Sequence, residues 1–350
     1  MKINSKLIRK ILIIALTSIF SLILIALITS FFFLNSFAKK INQKPFSLIT
    51  TTLQAWKSNE FENKNNLNFI ILGLDKRDDQ LEKTITTDTI IFSSINFSNQ
   101  KLTLISLPRD IWNYELDTKI NNIYPLALEE NKDTFSFIQD NFSKLTGQNI
   151  DKTIIITTDN LITFVNDIGG VDVYMEKDYK DTKYPNPDYI KNPSPNIPIY
   201  KTVEFKAGPF HLDQSNVTEF VRSRKGAETA AQGGTDIGRI QRQQLLIDAI
   251  MTKIKSKEFL SDYSNLIKLY NFWHSQISTN LNDQDLINLV LKMRHSYQNI
   301  NLNKITIPIG NTPKDGVIYH PDNFINKQWV FTTSDQNYSQ LQQFIKTSIN

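Results

Sequence analysis

A run of 24 residues without a charged side chain, Ile11–Leu34, constrains this 350-residue chain more than any other feature. A helix of that length spans about 36 Å, which is enough to cross a hydrocarbon core of about 30 Å. Because the apolar core of a signal peptide is usually only about 7–15 residues long, we expect an uncleaved anchor, with a cleaved signal as the alternative. Four basic residues precede the run and three follow it, which favours a single-pass protein with a cytoplasmic N-terminus and an extracytoplasmic body.

The distribution of charge limits the partners of the chain. Residues 1–44 contain seven basic residues and no acidic one, and the whole chain has a net charge of +4, so the remaining residues carry a net charge of −3. A slightly acidic body is a poor binder of nucleic acid, whose affinity depends on many phosphate contacts, and we expect no nucleic-acid partner. The absence of cysteine excludes disulfide scaffolds, thiolate zinc sites and cysteine nucleophiles.

Strand-like and helical patterns alternate along the rest of the chain. Short apolar runs predict strands at 67–73, 89–97, 101–107, 153–158, 171–175 and 304–309. Helical patterns cover 121–146, 159–168, 237–257, 263–273, 283–296 and 336–347, and a further helix opens at Leu212-Asp213 and runs toward Arg224. Ser98-Asn99-Gln100 predicts a hairpin turn, and the five prolines within 181–199 predict a surface loop.

This interleaving predicts the fold class. We expect an α/β (α+β) fold in which a central mixed β-sheet is flanked by helices on both faces, with an N-terminal transmembrane helix.

Charged residues are concentrated at the ends of the predicted strands. Asp75 follows the first strand, Asp88 precedes the second, and Arg109 follows the third. If the first two strands are antiparallel neighbours, the two carboxylates come together. Carboxylates with water and phosphate oxygens form a site for a hard cation, and Mg²⁺ suits such a site better than zinc.

A second group of charged residues lies near the predicted long helix. Asp236, Arg239 and Gln243 have the spacing i, i+3 and i+7 and share one helix face, whereas Arg242 points elsewhere. Arg222 and Arg224 diverge on a regular helix and converge only if the helix ends there. A guanidinium group binds two phosphate oxygens at once and stays charged. Several arginines with a divalent cation are therefore suited to binding a pyrophosphate.

Each of these patches, taken alone, also has a simple structural interpretation. The Arg-Ser-Arg sequence at 222–224 is compatible with a solvated helix end, and Asp236 with a helix N-cap. Arg109-Asp110 is compatible with a surface ion pair. The joint interpretation as one site therefore depends on whether these residues gather in space.

Seven motifs occur in a fixed order along the chain: ILGLDKR (71–77), TDTII (87–91), LTLISLPRD (102–110), KINNIY (119–124), VNDIGGVDVYM (165–175), FHLDQSNVTEFVRSR (210–224) and D-x-x-R-x-x-R-Q (236–243). In these motifs the chain resembles the LytR-CpsA-Psr family, extracytoplasmic transferases that attach glycopolymers to bacterial cell walls. The resemblance implies that a glycan on a polyprenyl-pyrophosphate carrier passes to a peptidoglycan hydroxyl with loss of polyprenyl phosphate.

The resemblance also implies roles for individual residues. Mg²⁺ would be held by Asp75 and Asp88. The pyrophosphate would be held by Arg77, Arg109, Arg222, Arg224, Arg239 and Gln243. The catalytic residues would be Arg109, Arg222, Asp236 and Arg239, with Asp236 orienting the arginines or assisting the acceptor hydroxyl.

The same resemblance divides the chain into five expected segments. They are a cytoplasmic tail (1–10), a transmembrane anchor (11–34), a stalk or lead-in helix (35–66), a LytR-CpsA-Psr catalytic domain (67–257) and a C-terminal extension packed on the same domain (258–350).

Two departures from the family pattern keep other functions open. Thr86 stands where the family usually has an arginine, two positions before Asp88, and Lys83 is a possible replacement. The segment Lys225–Thr235 lengthens the link between Arg224 and Asp236. The alternatives are therefore a non-catalytic protein that binds the polyprenyl-pyrophosphate lipid, and a hydrolase that cleaves the pyrophosphate.

Overall fold

The computed structural model describes residues 29–58, 61–74, 85–129, 133–225, 236–293 and 300–350. The predicted tail and most of the predicted anchor lie outside these ranges. Among the described residues, no helix combines the length and the hydrophobicity that crossing a membrane requires. Two compact units divide the chain between residues 59 and 60.

The first unit contains two described helices. Residues 29–40 form α1, and Pro45–Ser58 form α2. Asn42 adopts a left-handed conformation with φ of 55° in the turn that joins them. Ala38, Ile41 and Ala55 are buried.

The second unit alternates strands and helices. Its strands are β1 (Asn66–Leu74), β2 (Thr87–Asn96), β3 (Lys101–Ser106), β4 (Trp112–Asn113), β5 (Thr118–Lys119), β6 (Lys152–Thr157), β7 (Val171–Met175), β8 (Tyr179–Pro185), β9 (Tyr200–Phe205), β10 (Gly208–Leu212), β11 (Ile277–Thr279), β12 (Asn301–Thr306), β13 (Ile309–Gly310) and β14 (Ile318–Tyr319). Its α-helices are α3 (Ile123–Glu129), α4 (Thr134–Thr146), α5 (Thr158–Asp167), α6 (Pro187–Lys191), α7 (Val217–Arg222), α8 (Asp236–Lys255), α9 (Lys257–Ser261), α10 (Tyr263–Gln276), α11 (Asp283–Met293) and α12 (Ser339–Ile349).

Six strands form the predicted central mixed sheet, in the order β11-β6-β1-β2-β3-β12. Strands β1, β3, β6 and β12 run in one direction, and β2 and β11 run in the other. Strands β11 and β12 come from the part of the chain after residue 257 and pair with β6 and β3, respectively.

The alternation of side chains along β1 places helices on both faces of this sheet. Ile70 and Leu72 point into a core formed with α3, α4 and α12. Leu67 and Phe69 point into a second core, which Trp273 of α10 and residues of α11 complete. A third core joins α5, α7, α8 and α10 to the strand pairs β7–β10 and β8–β9.

Three sequence expectations need correction. Residues 181–199 are only partly a loop, because β8 continues to Pro185 and Pro187 begins α6, a position where its missing N–H is not needed. The last sheet strand covers 301–306 rather than 304–309, since Pro308 has no N–H for the ladder. The helix before Arg224 begins only at Val217, because residues 208–212 pair with β7.

Candidate functional site

Residues singled out from the sequence lie at one edge of the central sheet, the edge at which β1, β3 and β6 end and β2 begins. Leu74 at the end of β1 lies opposite Thr87 at the start of β2 and beside Thr157 at the end of β6. Strands β1 and β2 are therefore antiparallel neighbours, which is the condition under which Asp75 and Asp88 come together. Residues 75–84, with Asp75, Arg77 and Lys83, lie outside the described residues.

The carboxylate of Asp88 joins two arginines that are far apart in the sequence. Its Oδ1 atom lies 2.5 Å from Nη1 of Arg109, and its Oδ2 atom lies 3.4 Å from Nη1 of Arg239. Arg109 comes from the turn after β3, and Arg239 from the first turns of α8. The structure thus brings together three of the predicted site residues.

The turn that carries Arg109 is fixed on several sides. Asp110 accepts a hydrogen bond from Lys119 at 2.7 Å and lies 3.6 Å from Nε of Arg109. The carbonyl of Arg109 accepts from the N–H of Asn121, whose own carbonyl accepts from the hydroxyl of Thr87. Arg109 and Asp110 are therefore more than an exposed ion pair, because the same network ties them to the start of β2.

Helix α8 contributes two side chains to consecutive residues of β2. Arg239, which is only 4% exposed, contacts Asp88, and Gln243 one turn later accepts from the hydroxyl of Thr89 at 2.5 Å. This contact confirms that Arg239 and Gln243 share a helix face. Gly73 permits the close packing here, since a Cβ atom at that position would lie 2.9 Å from Cβ of Thr89.

Arg222 and Arg224 have other neighbours. Helix α7 ends at Arg222, and Ser223 is extended, so the condition for the two side chains to converge is met. Arg222 donates to Asp159 of α5 at 3.1 Å, and the side chain of Arg224 is exposed. Asp236 is the first residue of α8, and its side chain lies outside the described part of the structure.

Asp159 is a residue that the sequence analysis missed. It is the second residue of α5, directly after β6, and the hydroxyl of the preceding Thr158 donates to the carbonyl of Leu74. Asp159 therefore lies at the same sheet edge as Asp88. Its position just after a predicted strand, like that of Asp75, was the available signal.

The turn between Arg222 and Lys225 is held from both sides by two buried charged residues. Arg242 donates from Nε to the carbonyl of Phe220 at 2.9 Å and from Nη2 to the carbonyl of Ser223. Asp181 of β8 accepts from the backbone N–H groups of Arg224 and Lys225 at 3.2 and 3.0 Å. We call Arg242 and Asp181 the turn clamp.

Arg242 points away from the face of α8 on which Arg239 and Gln243 contact β2, as the helical spacing predicted. Its guanidinium lies 4.0 Å from the ring centroid of Tyr179, and burial lowers its pKa, while Tyr179 and Asp181 act in the opposite direction. Asp181 was missed because the proline-rich sequence around it predicted a loop.

The residues present are compatible with a hard cation. Asp88 offers carboxylate oxygens, and a carboxylate has about four lone-pair sites, so the two guanidinium contacts leave acceptor capacity. Within the described ranges there is no group of three or more His, Cys, Asp or Glu side chains able to hold a metal. A cation would therefore depend on Asp88, on Asp75 outside those ranges and on oxygen atoms of a ligand.

The arginines at this sheet edge are suited to binding an anion. Guanidinium groups bind phosphate oxygens through paired N–H donors, and fixed donors stabilise the charge that develops when a phosphate leaves. Arg109 and Arg239 are held on one carboxylate, so their donors are oriented before a ligand arrives.

Two proteins with similar sequences are named as teichoic acid transferases. A relative from Oceanobacillus iheyensis, the polyisoprenyl-teichoic acid–peptidoglycan teichoic acid transferase TagU, is 23% identical over 69% of this chain and 67% of its own length. The protein of that name from Enterococcus faecalis is 21% identical over 82% of this chain and 81% of its own.

Solved structures share the fold. The crystal structure of B. subtilis TagV matches with a TM-score of 0.53 and 18% identity, covering 82% of this chain and 98% of that one. A structure described as TagT bound to LIIa-WTA matches with a TM-score of 0.51 and 16% identity, covering 82% and 91%. The sequence profile of the LytR_cpsA_psr family matches residues 31–345, and the chain therefore belongs to that family.

Proposed function

We propose that this protein is a membrane-anchored, extracytoplasmic phosphotransferase that moves a glycopolymer from a polyprenyl-pyrophosphate carrier to a hydroxyl of cell-wall peptidoglycan. The observation that carries the proposal is the meeting of Arg109 and Arg239 on Asp88. The names of the relatives support the donor and acceptor classes, since they describe transfer from polyisoprenyl-linked teichoic acid to peptidoglycan.

The proposed reaction exchanges one phosphorus–oxygen bond for another. The acceptor hydroxyl oxygen forms a bond to the phosphorus on the glycan side, and the bond from that phosphorus to the bridging oxygen breaks. Polyprenyl phosphate leaves with the bridging oxygen, and the hydroxyl proton passes to a base or to solvent. The product is a phosphodiester between glycan and acceptor.

Each described site residue has a proposed task in this reaction. Arg109 and Arg239 bind non-bridging oxygens and offset the charge on the leaving phosphate. Arg222 and Arg224 approach the diphosphate from the turn after α7, and Gln243 keeps α8 in register with β2 through Thr89.

Four further roles are proposed, for a Mg²⁺ site, for Arg77, for Asp236 and for the N-terminal segment. Asp75 and Asp88 would hold Mg²⁺, which supplies charge neutralisation for the diphosphate when it is bound. Arg77 would add a phosphate contact, and Asp236 would orient the arginines or assist the acceptor hydroxyl. Residues 11–34 would anchor the chain in the cell membrane, with 1–10 in the cytoplasm and the body outside.

The test is transfer by the purified full-length chain in lipid nanodiscs, with a synthetic polyprenyl-pyrophosphate glycan, Mg²⁺ and a peptidoglycan oligosaccharide. We expect polyprenyl phosphate and the glycan–peptidoglycan phosphodiester in equal amounts. Arg109→Ala should abolish both products. Lys144→Ala is the matched control, because Lys144 is exposed on α4 and pairs with the exposed Glu115, outside the contacts of Asp88, Arg109 and Arg239.

The same assay separates the alternatives. Release of polyprenyl phosphate without phosphodiester, in the presence of acceptor, would identify a hydrolase. Tight binding of the donor with no release of either product would identify a lipid-binding protein without turnover. Either result would overturn the proposed transfer.

A further inference from the structure

Helix α2 carries four large apolar side chains on one exposed face. Phe46, Ile49, Leu53 and Trp56 are 75%, 43%, 49% and 71% exposed, respectively. Their spacing of three, four and three residues confines them to an arc of about 80° at 100° per residue. We call these four residues the apolar stripe.

The stripe is distinct from the buried face of α2. Ala55, which is fully buried, and the partly buried Leu48 lie on the opposite side of the helix. The hydroxyls of Thr50 and Thr52 donate back to carbonyls of the same helix, so the flanks of the stripe add little polarity. Helix α2 is therefore apolar on two sides, and only one of them is covered.

Charge decides which occupant fits the exposed side. After the predicted span, residues 35–59 contain four basic residues and no acidic one, and two of them, Lys44 and Lys57, flank α2 directly. A second copy of the chain on the stripe would bring like charges together. An anionic bilayer surface attracts these basic residues instead.

The side chains of the stripe also match a lipid interface in kind. Helices that lie in the headgroup region combine Trp, Phe and Leu on one face with Lys at the polar boundary, and Trp prefers the interface itself. Long lysine side chains extend their charge to water while their stems stay in apolar surroundings. Phe46 and Trp56 stand near the two ends of α2, beside Lys44 and Lys57.

We infer that α2 lies in the plane of an anionic membrane surface, with the apolar stripe inserted at the boundary of headgroups and acyl chains. The inference rests on the proposed membrane anchoring but adds a second, separate contact, because α2 begins after the predicted span has ended at Leu34.

The absence of native cysteine permits a direct test with single-cysteine variants of the full-length chain. Leu53→Cys places a fluorescent label on the stripe. Gln54→Cys places the same label one residue away, on an exposed position about 100° around the helix. Each protein is reconstituted at one copy per nanodisc of mixed phosphatidylcholine and phosphatidylglycerol, and quenching is measured with brominated lipid and with aqueous iodide.

We expect the label at position 53 to shift its emission to the blue, to be quenched by brominated lipid and to resist iodide, with the reverse at position 54. Lys44→Glu with Lys57→Glu should weaken the quenching by lipid at position 53 while the protein stays in the disc. Iodide quenching at position 53 equal to that at 54, in protein that remains in the disc, would overturn the inference and leave the anchor intact.

Two further outcomes also count against the inference. A chain that does not reconstitute into discs at all would overturn both the anchor and the interfacial helix. Protection of position 53 that appears only when discs hold two copies would assign the stripe to self-association instead.

Discussion

Asp88 and Arg109 contact each other because of the register of one hairpin. Strands β2 and β3 pair Ile91 with Ser106, and the amide of Leu107 continues the ladder by donating to the carbonyl of Ile90. Extending that register by a few residues places Asp88 opposite Arg109, and the two side chains meet at 2.5 Å. The length of the β2–β3 hairpin therefore fixes the pair, and α8 completes it with Arg239.

Replacement of Arg109 is expected to abolish transfer while the fold persists. Removing a fixed donor to a developing phosphate charge costs about 10²–10³-fold in turnover. Arg109→Lys should lose nearly as much as Arg109→Ala, because an ammonium group cannot hold Asp88 and a phosphate oxygen in the same planar arrangement. Turnover in nanodiscs and thermal unfolding are the measurements, and full activity of Arg109→Lys would contradict the planar-donor argument.

The hydrogen bond between Thr89 and Gln243 is expected to position α8 against β2, in addition to any contact that Gln243 makes with the ligand. Thr89→Val removes the hydroxyl and keeps the shape of the side chain, so a neutral hydrogen bond worth about 1 kcal/mol is lost, or roughly fivefold in turnover. Gln243→Ala removes this contact and any contact to phosphate. Because Nε2 of Gln243 also donates to the carbonyl of Val221 at 3.4 Å, donor binding is measured beside activity. Weaker donor binding in Gln243→Ala than in Thr89→Val would support the phosphate contact that the family resemblance implies, and equal binding would contradict it.

The turn clamp is expected to contribute mainly to stability. Arg242→Met leaves the buried carbonyls of Phe220 and Ser223 without their donor, which should lower the free energy of unfolding by roughly 3 kcal/mol. Asp181→Asn keeps one acceptor oxygen and should cost less. Chemical denaturation of the two variants checks the order. Equal stability of wild type and Arg242→Met would mean that the turn does not depend on the clamp.

The sequence was sufficient for the elements that repeat a simple pattern. Apolar runs located β1, β2 and β3, and the spacing of Arg239 and Gln243 predicted their shared face on α8. The antiparallel pairing of β1 with β2 depends on how the strands assemble into the sheet. From the sequence it could therefore be stated only as a condition for Asp75 and Asp88 to come together. That residues of distant elements, such as Asp88 and Arg239, belong to one site was implied only by the family resemblance, and their direct contact was not predicted.

Other features depend on packing that no local pattern records. The proline-rich stretch around Asp181 indicates a loop by composition, yet β8 forms because β9 supplies its partner strand. The buried acceptor for the turn after α7 is therefore hidden in a segment that looks unstructured. Arg222 was assigned to phosphate without a protein partner, whereas the structure places Asp159 beside it.

The pair of Arg222 and Asp159 is expected to be weak in stability and significant in binding. Asp159 is more than half exposed, and exposed ion pairs contribute only about 0–1 kcal/mol, so Asp159→Asn should leave the midpoint of unfolding nearly unchanged. Loss of this one carboxylate partner should leave binding of the donor diphosphate by Arg222 at least as strong as in the wild type. Arg222→Ala should instead weaken donor binding. Isothermal titration with the lipid-linked donor compares them, and weaker binding in Asp159→Asn would show that Asp159 orients Arg222.

Removal of divalent cations is expected to stop transfer without unfolding the protein. Two guanidinium groups lie beside Asp88 and offset its negative charge, so we expect this edge of the sheet to fold without a metal. Dialysis against EDTA should therefore leave the unfolding temperature almost constant and lower turnover, with recovery on addition of Mg²⁺. Binding of Mn²⁺, followed by electron paramagnetic resonance, gives a readout independent of activity and should be lost in Asp88→Asn and in Asp75→Asn but kept in Lys144→Ala. Retention of Mn²⁺ binding in both aspartate variants would place the cation elsewhere in the chain.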